Sequence, residues 1–152
     1  MVVIRVEKLI PEAEIPKKAT DGSIALDVKA FAFPEGFDDG AFYQLMPGHR
    51  AIFGTGLKVS IPEGYVMDIR PRSGHAAKNG VIVLNAPGTI DPDYRGEVGV
   101  ILINLGTKIF TIERGMKIAQ IIVHKVEDIT FVEGSVGETK RGSGGFGSTG
   151  DS

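Results

Sequence analysis

Residues 98–125 read VGVILINLGTKIFTIERGMKIAQIIVHK. Three apolar runs, Val98–Leu105, Lys108–Ile112 and Ile118–Lys125, are parted by Leu105-Gly106 and Arg114-Gly115. Each run has strand length, is rich in β-branched residues and closes on a turn signal, so the stretch reads as three short strands. The same pattern extends outward. Val2–Val6, Ala51–Val59, Tyr65–Arg70 and Val81–Leu84 are further strand candidates. Pro-Glu-Gly at 34–36 and 62–64, Pro47-Gly48 and Pro87-Gly88 supply the turns. Gly54 and Gly56, inside an apolar run, predict a bend or bulge. No long stretch carries a sustained 3.6-residue stripe, and the best helical candidate is Gly74–Asn79, ended by Gly80. Turn spacings of roughly 8–12 residues predict an all-β sandwich, jelly roll or barrel with one short helix.

A chain of 152 residues forms one domain with a core of its own and needs no metal or disulfide for it. Seventeen Lys+Arg against nineteen Asp+Glu leave a formal charge of −2. No global basic field exists to hold nucleic acid or an anionic membrane, so phosphate binding requires a local site. With no cysteine, disulfide scaffolds, thiolate nucleophiles and cysteine-ligated metals are excluded. The apolar runs are far shorter than the ~20 residues of a membrane span. Charge begins at Arg5 and Glu7, where a secretory leader would be apolar. The expectation is a soluble, cytoplasmic protein.

Glycine is abundant, 21 of 152 residues, about twice the usual ~7%. Seven of these lie between Gly134 and Gly150, and from Glu133 to Ser152 only Val136 and Phe146 are apolar. The reading is a β domain over residues 1–132 and a flexible glycine-rich lid over 133–152, with a frayed tail as the alternative. The segment runs Arg141-Gly-Ser-Gly-Gly-Phe146-Gly147-Ser148-Thr149-Gly150. An aromatic face stacks on a base, while arginine, hydroxyls and open backbone amides suit phosphate oxygens.

Other segments carry chemistry. Pro71-Arg72-Ser73-Gly74 opens the helical candidate, where free N–H groups, a guanidinium and a hydroxyl suit an anion; Ser73 is equally a good N-cap. Asn85–Glu97 (NAPGTIDPDYRGE) places a tight turn at Pro87-Gly88 between two extended arms. Such a hairpin, with Gly88, Thr89 and Ile90 on one arm, offers main-chain donors and acceptors to a base edge. Asp91 ends that arm and is ionised near neutral pH, as a general base must be; a polar loop whose aspartates cap turns is the alternative. Asp27 follows the apolar triplet Ile24-Ala25-Leu26 and suits either a solvated strand end or the water shell of magnesium. Gln120, polar within an apolar strand, faces solvent or reaches a site from a rigid element. His49, His75 and His124 have no metal-ligand spacing and read as structural or surface residues.

Taken in order, Ser23–Ala30, Pro71–Gly80, Asn85–Glu97, Arg114–Ile122 and Arg141–Gly150 closely resemble the five motifs of the trimeric dUTP pyrophosphatases (dUTPases). The resemblance covers residues 23–150. It implies a jelly-roll-like β fold and a homotrimer whose three sites are each built from three chains, the tail of one closing over the other two. It implies hydrolysis of dUTP to dUMP and pyrophosphate with Mg2+, a reaction that limits uracil in DNA and supplies dUMP for thymidylate synthesis. By position, Asp91 matches the aspartate that activates water against the α-phosphate. Asn85 and the main chain through Gly88, Thr89 and Ile90 match the uracil-reading element, and Tyr94 matches the tyrosine packed on the sugar. Arg72, Ser73, Gly74 and Gln120 match phosphate-side residues, and Asp27 matches the acidic residue near the metal's water shell. Arg141, Phe146, Gly147, Ser148 and Thr149 match the tail, where Arg141 adds transition-state stabilisation.

Two departures are visible. Ile24-Ala25 stands where the family usually has Ala-Gly, and His75 where leucine is frequent. Two rivals remain: a dCTP deaminase or deaminase–diphosphatase of the same fold, which releases ammonia, and a non-catalytic jelly-roll binding module.

Overall fold

The computed structural model describes residues 2–35 and 42–145. Its strands are β1 (Arg5–Lys8), β2 (Leu26–Lys29), β3 (Phe42–Leu45), β4 (Arg50–Ser60) and β5 (Tyr65–Arg70). After the helix α1 (Ser73–Asn79) come β6 (Val81–Val83), β7 (Gly88–Ile90), β8 (Glu97–Asn104), β9 (Phe110–Glu113) and β10 (Lys117–Lys125). Two four-stranded sheets, β1-β4-β8-β6 and β2-β10-β5-β7, pack around one core, with β3-β9 as a two-stranded ribbon. The arrangement is a jelly-roll-like β-sandwich with one short helix.

Period-two patterning accounts for the packing. Along β8, Val98, Val100, Leu102 and Asn104 are buried and the residues between them are half-buried. The three apolar residues meet Phe53 of β4, Met67 and Ile69 of β5 and Ile121 of β10 in the same cluster. Leu102 is 1% exposed, and truncating such a leucine to alanine costs about 2–5 kcal/mol. The core also admits polar groups that are fully bonded. Asn104 donates to the main-chain oxygens of Leu45 and Lys108 at 2.9 and 2.8 Å and accepts from Gly106 N at 2.9 Å. One buried amide thereby joins β8 to the ribbon.

The expected bulge is present: the β4–β8 register shifts between Gly54 and Lys58, and Gly56 has φ 68. Other boundaries moved where pairing decided them. The first strand begins at Arg5 because its ladder runs from Arg5 opposite Ser60 to Lys8 opposite Leu57. β2 and β3 are not among the strand candidates; at four residues each they carry little periodic signal. The helix starts at Ser73, with extended Arg72 (φ −84, ψ 125) at the N-cap and left-handed Gly80 at its end. Ser73 is therefore not the cap. Ala76 N already bonds the carbonyl of Arg72 at 3.0 Å, which draws Ser73 into the helix.

Candidate active site

Arg72, Asp27 and Gln120 come together on one face of the β2-β10-β5-β7 sheet. Cross-strand partners point to the same side, and the register sets Asp27 opposite Gln120 and Gln120 opposite Arg70. Gln120 Nε2 donates to Asp27 Oδ1 at 3.3 Å. Lys117 Nζ lies 2.7 Å from Asp27 Oδ2, and Arg72 Nε lies 3.2 Å from Oδ1. Residues 117 and 120 are an odd number apart and would face opposite sides of a regular strand. The β2–β10 register shifts between Lys117 and Ala119, and this irregularity turns both onto Asp27.

The electrostatics of this cluster are one-sided. Burial pushes the Asp27 carboxyl up, but hydrogen bonds from Lys117 and Gln120 and the charges of Arg72 and Lys117 outweigh it, so its pKa lies below the ordinary 3.8. Arg72 Nε is buried yet makes no hydrogen bond, because its approach to Asp27 is close but poorly angled. Arg72 Nη1 donates to Lys117 O at 3.3 Å, and His75 Nε2 lies 2.9 Å from the same carbonyl. A carbonyl only accepts, so Nε2 carries the proton. The His75 ring packs edge-on against Phe110. Asp27 and Lys117 also border a pocket of about 170 Å³ lined by Glu14, Lys17, Lys18 and Lys29. Glu14 is paired with Lys29 at 2.5 Å, which leaves Lys17 and Lys18 as an excess of positive charge. Ser73 and Gly74 are exposed beside Arg72 at the start of α1.

Sequence reading missed two members of this surface. Lys117 lies within a motif that was identified, but its role depends on the strand irregularity. Asp68 sits opposite Thr89 and Ile122, 10% exposed in its side chain, with Arg70 Nη2 at 3.0 Å and His124 Nε2 at 3.7 Å. Met67 and Ile69 point into the core, so alternation predicts an exposed Asp68; its neighbours on the outer face bury it. Of the histidines read as structural or surface residues, His75 lies against Lys117 O and His124 against Asp68.

The Asn85–Glu97 segment differs from the expected hairpin. The strands on either side of its Pro87-Gly88 turn are β6, which ends at Val83 before the segment begins, and β7, but β6 pairs with β8 and β7 pairs with β5. The chain crosses from one sheet to the other between them, because each strand finds its hydrogen-bond partner on a different sheet edge. Gly88 is buried, and a β-carbon there would stand 3.2 Å from Asn85 Nδ2. Thr89 is exposed, and Ile90 packs on the core. Asp91 is exposed, and among the described residues its carboxylate has no partner. Tyr94, 42% exposed, donates its hydroxyl to Glu97 O at 2.8 Å.

Asp91 and Arg72 stand at opposite ends of β5. Ile90 pairs with Met67, while the chain leaves the other end of the strand for Arg72. Five extended residues at roughly 3.3 Å each span about 16 Å. Within one chain the free carboxylate therefore does not reach the cationic cluster.

Beyond Lys125 the described chain has no strand, and Ile129, Phe131, Val132 and Val136 are 76%, 93%, 85% and 99% exposed. Arg141 is exposed, and its Nε bonds Gly144 O at 2.8 Å. Phe146, Gly147, Ser148 and Thr149 lie outside the described residues. Among the described residues no three histidine, aspartate or glutamate side chains converge as metal ligands, and no helix is long and apolar enough to cross a membrane.

The dUTPase family model matches residues 11–150. The chain is 50% identical over 141 residues to the deoxyuridine 5'-triphosphate nucleotidohydrolase of Chlamydia pneumoniae, covering 91% of this chain and 92% of that protein. It is 49% identical over 140 residues to the Neorickettsia sennetsu protein of the same name, covering 91% and 89%. Among solved structures, the Staphylococcus bacteriophage 80alpha dUTPase with dUPNHPP superposes with a TM-score of 0.76 at 26% identity, covering 97% of this chain and 98% of that one. A mutant dUTPase of S. aureus phage phi11, solved for its coordination of a structural Mg(II) ion, shares the fold with a TM-score of 0.74 at 21% identity, covering 86% and 95%.

Proposed function

The chain belongs to the dUTPase family, and from that premise we propose how its residues divide the work of dUTP hydrolysis. The reaction converts dUTP to dUMP and pyrophosphate. Arg72, Ser73 and Gln120 hold the phosphates, with Gly74 leaving the start of α1 open to them. Asn85 and the main chain of Gly88, Thr89 and Ile90 read the uracil edge, and Tyr94 packs on the sugar. Asp91 takes the proton of the water that attacks the α-phosphate, a role worth about 10²–10⁴-fold. Residues 1–132 form the body and 133–152 the lid, whose Arg141, Phe146, Gly147, Ser148 and Thr149 cover the bound nucleotide.

The observation that carries this division is the separation of Asp91 from Arg72 along β5. Both act on one triphosphate only if they come from different chains, which supports a homotrimer with shared sites. Every copy then presents its phosphate cluster to a neighbour's Asp91, and a third chain's tail closes the site. The substrate is small, so no nucleic acid or membrane enters, and the reaction belongs in the cytoplasm.

The donor set fits magnesium that arrives on the triphosphate. Asp27 already faces two cations, so it suits the ion's water shell and not a direct bond. With Asp27 holding its water shell, the ion would supply neutralising charge to the phosphate oxygens.

The test is release of pyrophosphate and ammonia from dUTP, dCTP, dTTP and UTP with magnesium. Pyrophosphate from dUTP alone is expected. Ammonia from dCTP would move the chain to the deaminase branch, and no release from any nucleotide would leave a binding module.

A further inference from the structure

Tyr94 lies folded back over its own chain. Its hydroxyl bonds Glu97 O at 2.8 Å, and its ring covers Gly96. A β-carbon on Gly96 would stand 2.3 Å from the hydroxyl oxygen, 2.5 Å from Cζ and 3.0 Å from Cε2. Every other residue carries a β-carbon, so none fits beneath the ring as it lies. Backbone conformation is not the reason for this glycine, because its φ is outside the left-handed region. The three nearest obstacles all belong to one side chain, and its outer end at that. An alanine here therefore moves Tyr94 and leaves the main chain in place.

We propose that Gly96 is a specificity-determining residue: its missing side chain seats the Tyr94 ring against the main chain and so sets the wall that turns away a 2′-hydroxyl. The inference rests on Tyr94 being the residue packed on the sugar. The ring is held at two points, the Glu97 carbonyl and the Gly96 backbone. Ordinary contact begins near 3.4 Å, so a β-carbon displaces the hydroxyl by about 1 Å, an error large enough to matter in a positioned site. Loss of the seat breaks the Glu97 bond and frees the ring to swing away from the ribose.

The experiment measures kcat/KM for dUTP and UTP in the parent chain, Gly96→Ala, Tyr94→Ala and the double variant, with thermal melting as the folding check. Rejection of an added hydroxyl by sterics reaches ~10², and Gly96→Ala is expected to lower the preference for dUTP about tenfold. In the Tyr94→Ala background the same step is expected to change the preference by less than about twofold. A folded Gly96→Ala chain with the parental preference overturns the proposal, as does an equal effect in both backgrounds. If Gly96→Ala does not fold, the double variant decides. Its folding upholds the contact, because removing the ring removes the obstacle, and its failure overturns it. A parent chain that hydrolyses dUTP and UTP equally overturns both this inference and the reading of Tyr94.

Discussion

The cluster around Asp27 and the segment around Asp91 each present a carboxylate on or beside the same sheet, in opposite states. Asp27 is crowded: Lys117, Arg72 and Gln120 all lie within 3.3 Å. Asp91 is exposed and without a partner among the described residues. The difference fits the roles proposed for the two groups. A phosphate site needs cations held in place before substrate arrives, and a buried counter-ion holds them. A general base needs an open lone pair, and any strong partner would compete for it.

Several measurements would break or sharpen that contrast. Asp91→Asn is expected to bind dUTP and to lose turnover by about 10²–10⁴-fold; near-normal kcat would remove it from the base role. Mixing Asp91→Asn with Arg72→Ala, each inactive alone, tests whether the two groups belong to different chains. Equal amounts refolded together should return activity to about a quarter of the sites in a cyclic assembly. No recovery would place both groups in one chain. Deleting the residues after Lys140 should leave the melting temperature unchanged and lower kcat/KM by about 10³-fold or more, because the loss of Arg141 resembles the loss of an arginine finger. Full activity in that truncation would refute the lid.

Smaller effects probe the crowded carboxylate. The lowered pKa of Asp27 means a stabilising contribution that is present above 3.8 and is lost as pH falls through the folded-state value. Urea midpoints of the parent and Asp27→Asn should therefore differ at pH 7 and converge as the pH falls below that range. A constant difference would show that its partners do not stabilise the charged form. The smallest effect expected is that of His75→Leu. Leucine keeps the packing on Phe110 but gives up the bond to Lys117 O, a loss of about 0.5–1.5 kcal/mol. A severalfold rise in KM with kcat unchanged would mark His75 as a residue that positions Arg72.

Much of this was legible in the chain itself. Tyr65–Arg70 is legible with the bounds it has, and the helix to within one residue, because partial alternation and a terminal glycine are local signals. The bulge in β4 was visible in Gly54 and Gly56. β2 and β3 were not, since so short a strand exists only through the partner beside it. Motif order likewise named Asp91, Arg72 and Gln120, but it missed Asp68 and Lys117.

What the sequence alone determined was the all-β class, the short helix, the glycine-rich end and the residue types that suit a nucleotide. These follow from hydrophobic period, turn chemistry and side-chain functional groups, all of which are properties of neighbours in the chain. The tertiary structure alone decided that the strands flanking the Pro87-Gly88 turn, β6 and β7, join different sheets, that Lys117 turns onto Asp27, and that Asp91 stands about five strand residues from Arg72. Register, sheet edge and strand irregularity are relations between residues distant in sequence. They arise only when backbone hydrogen bonds are shared out across the whole fold.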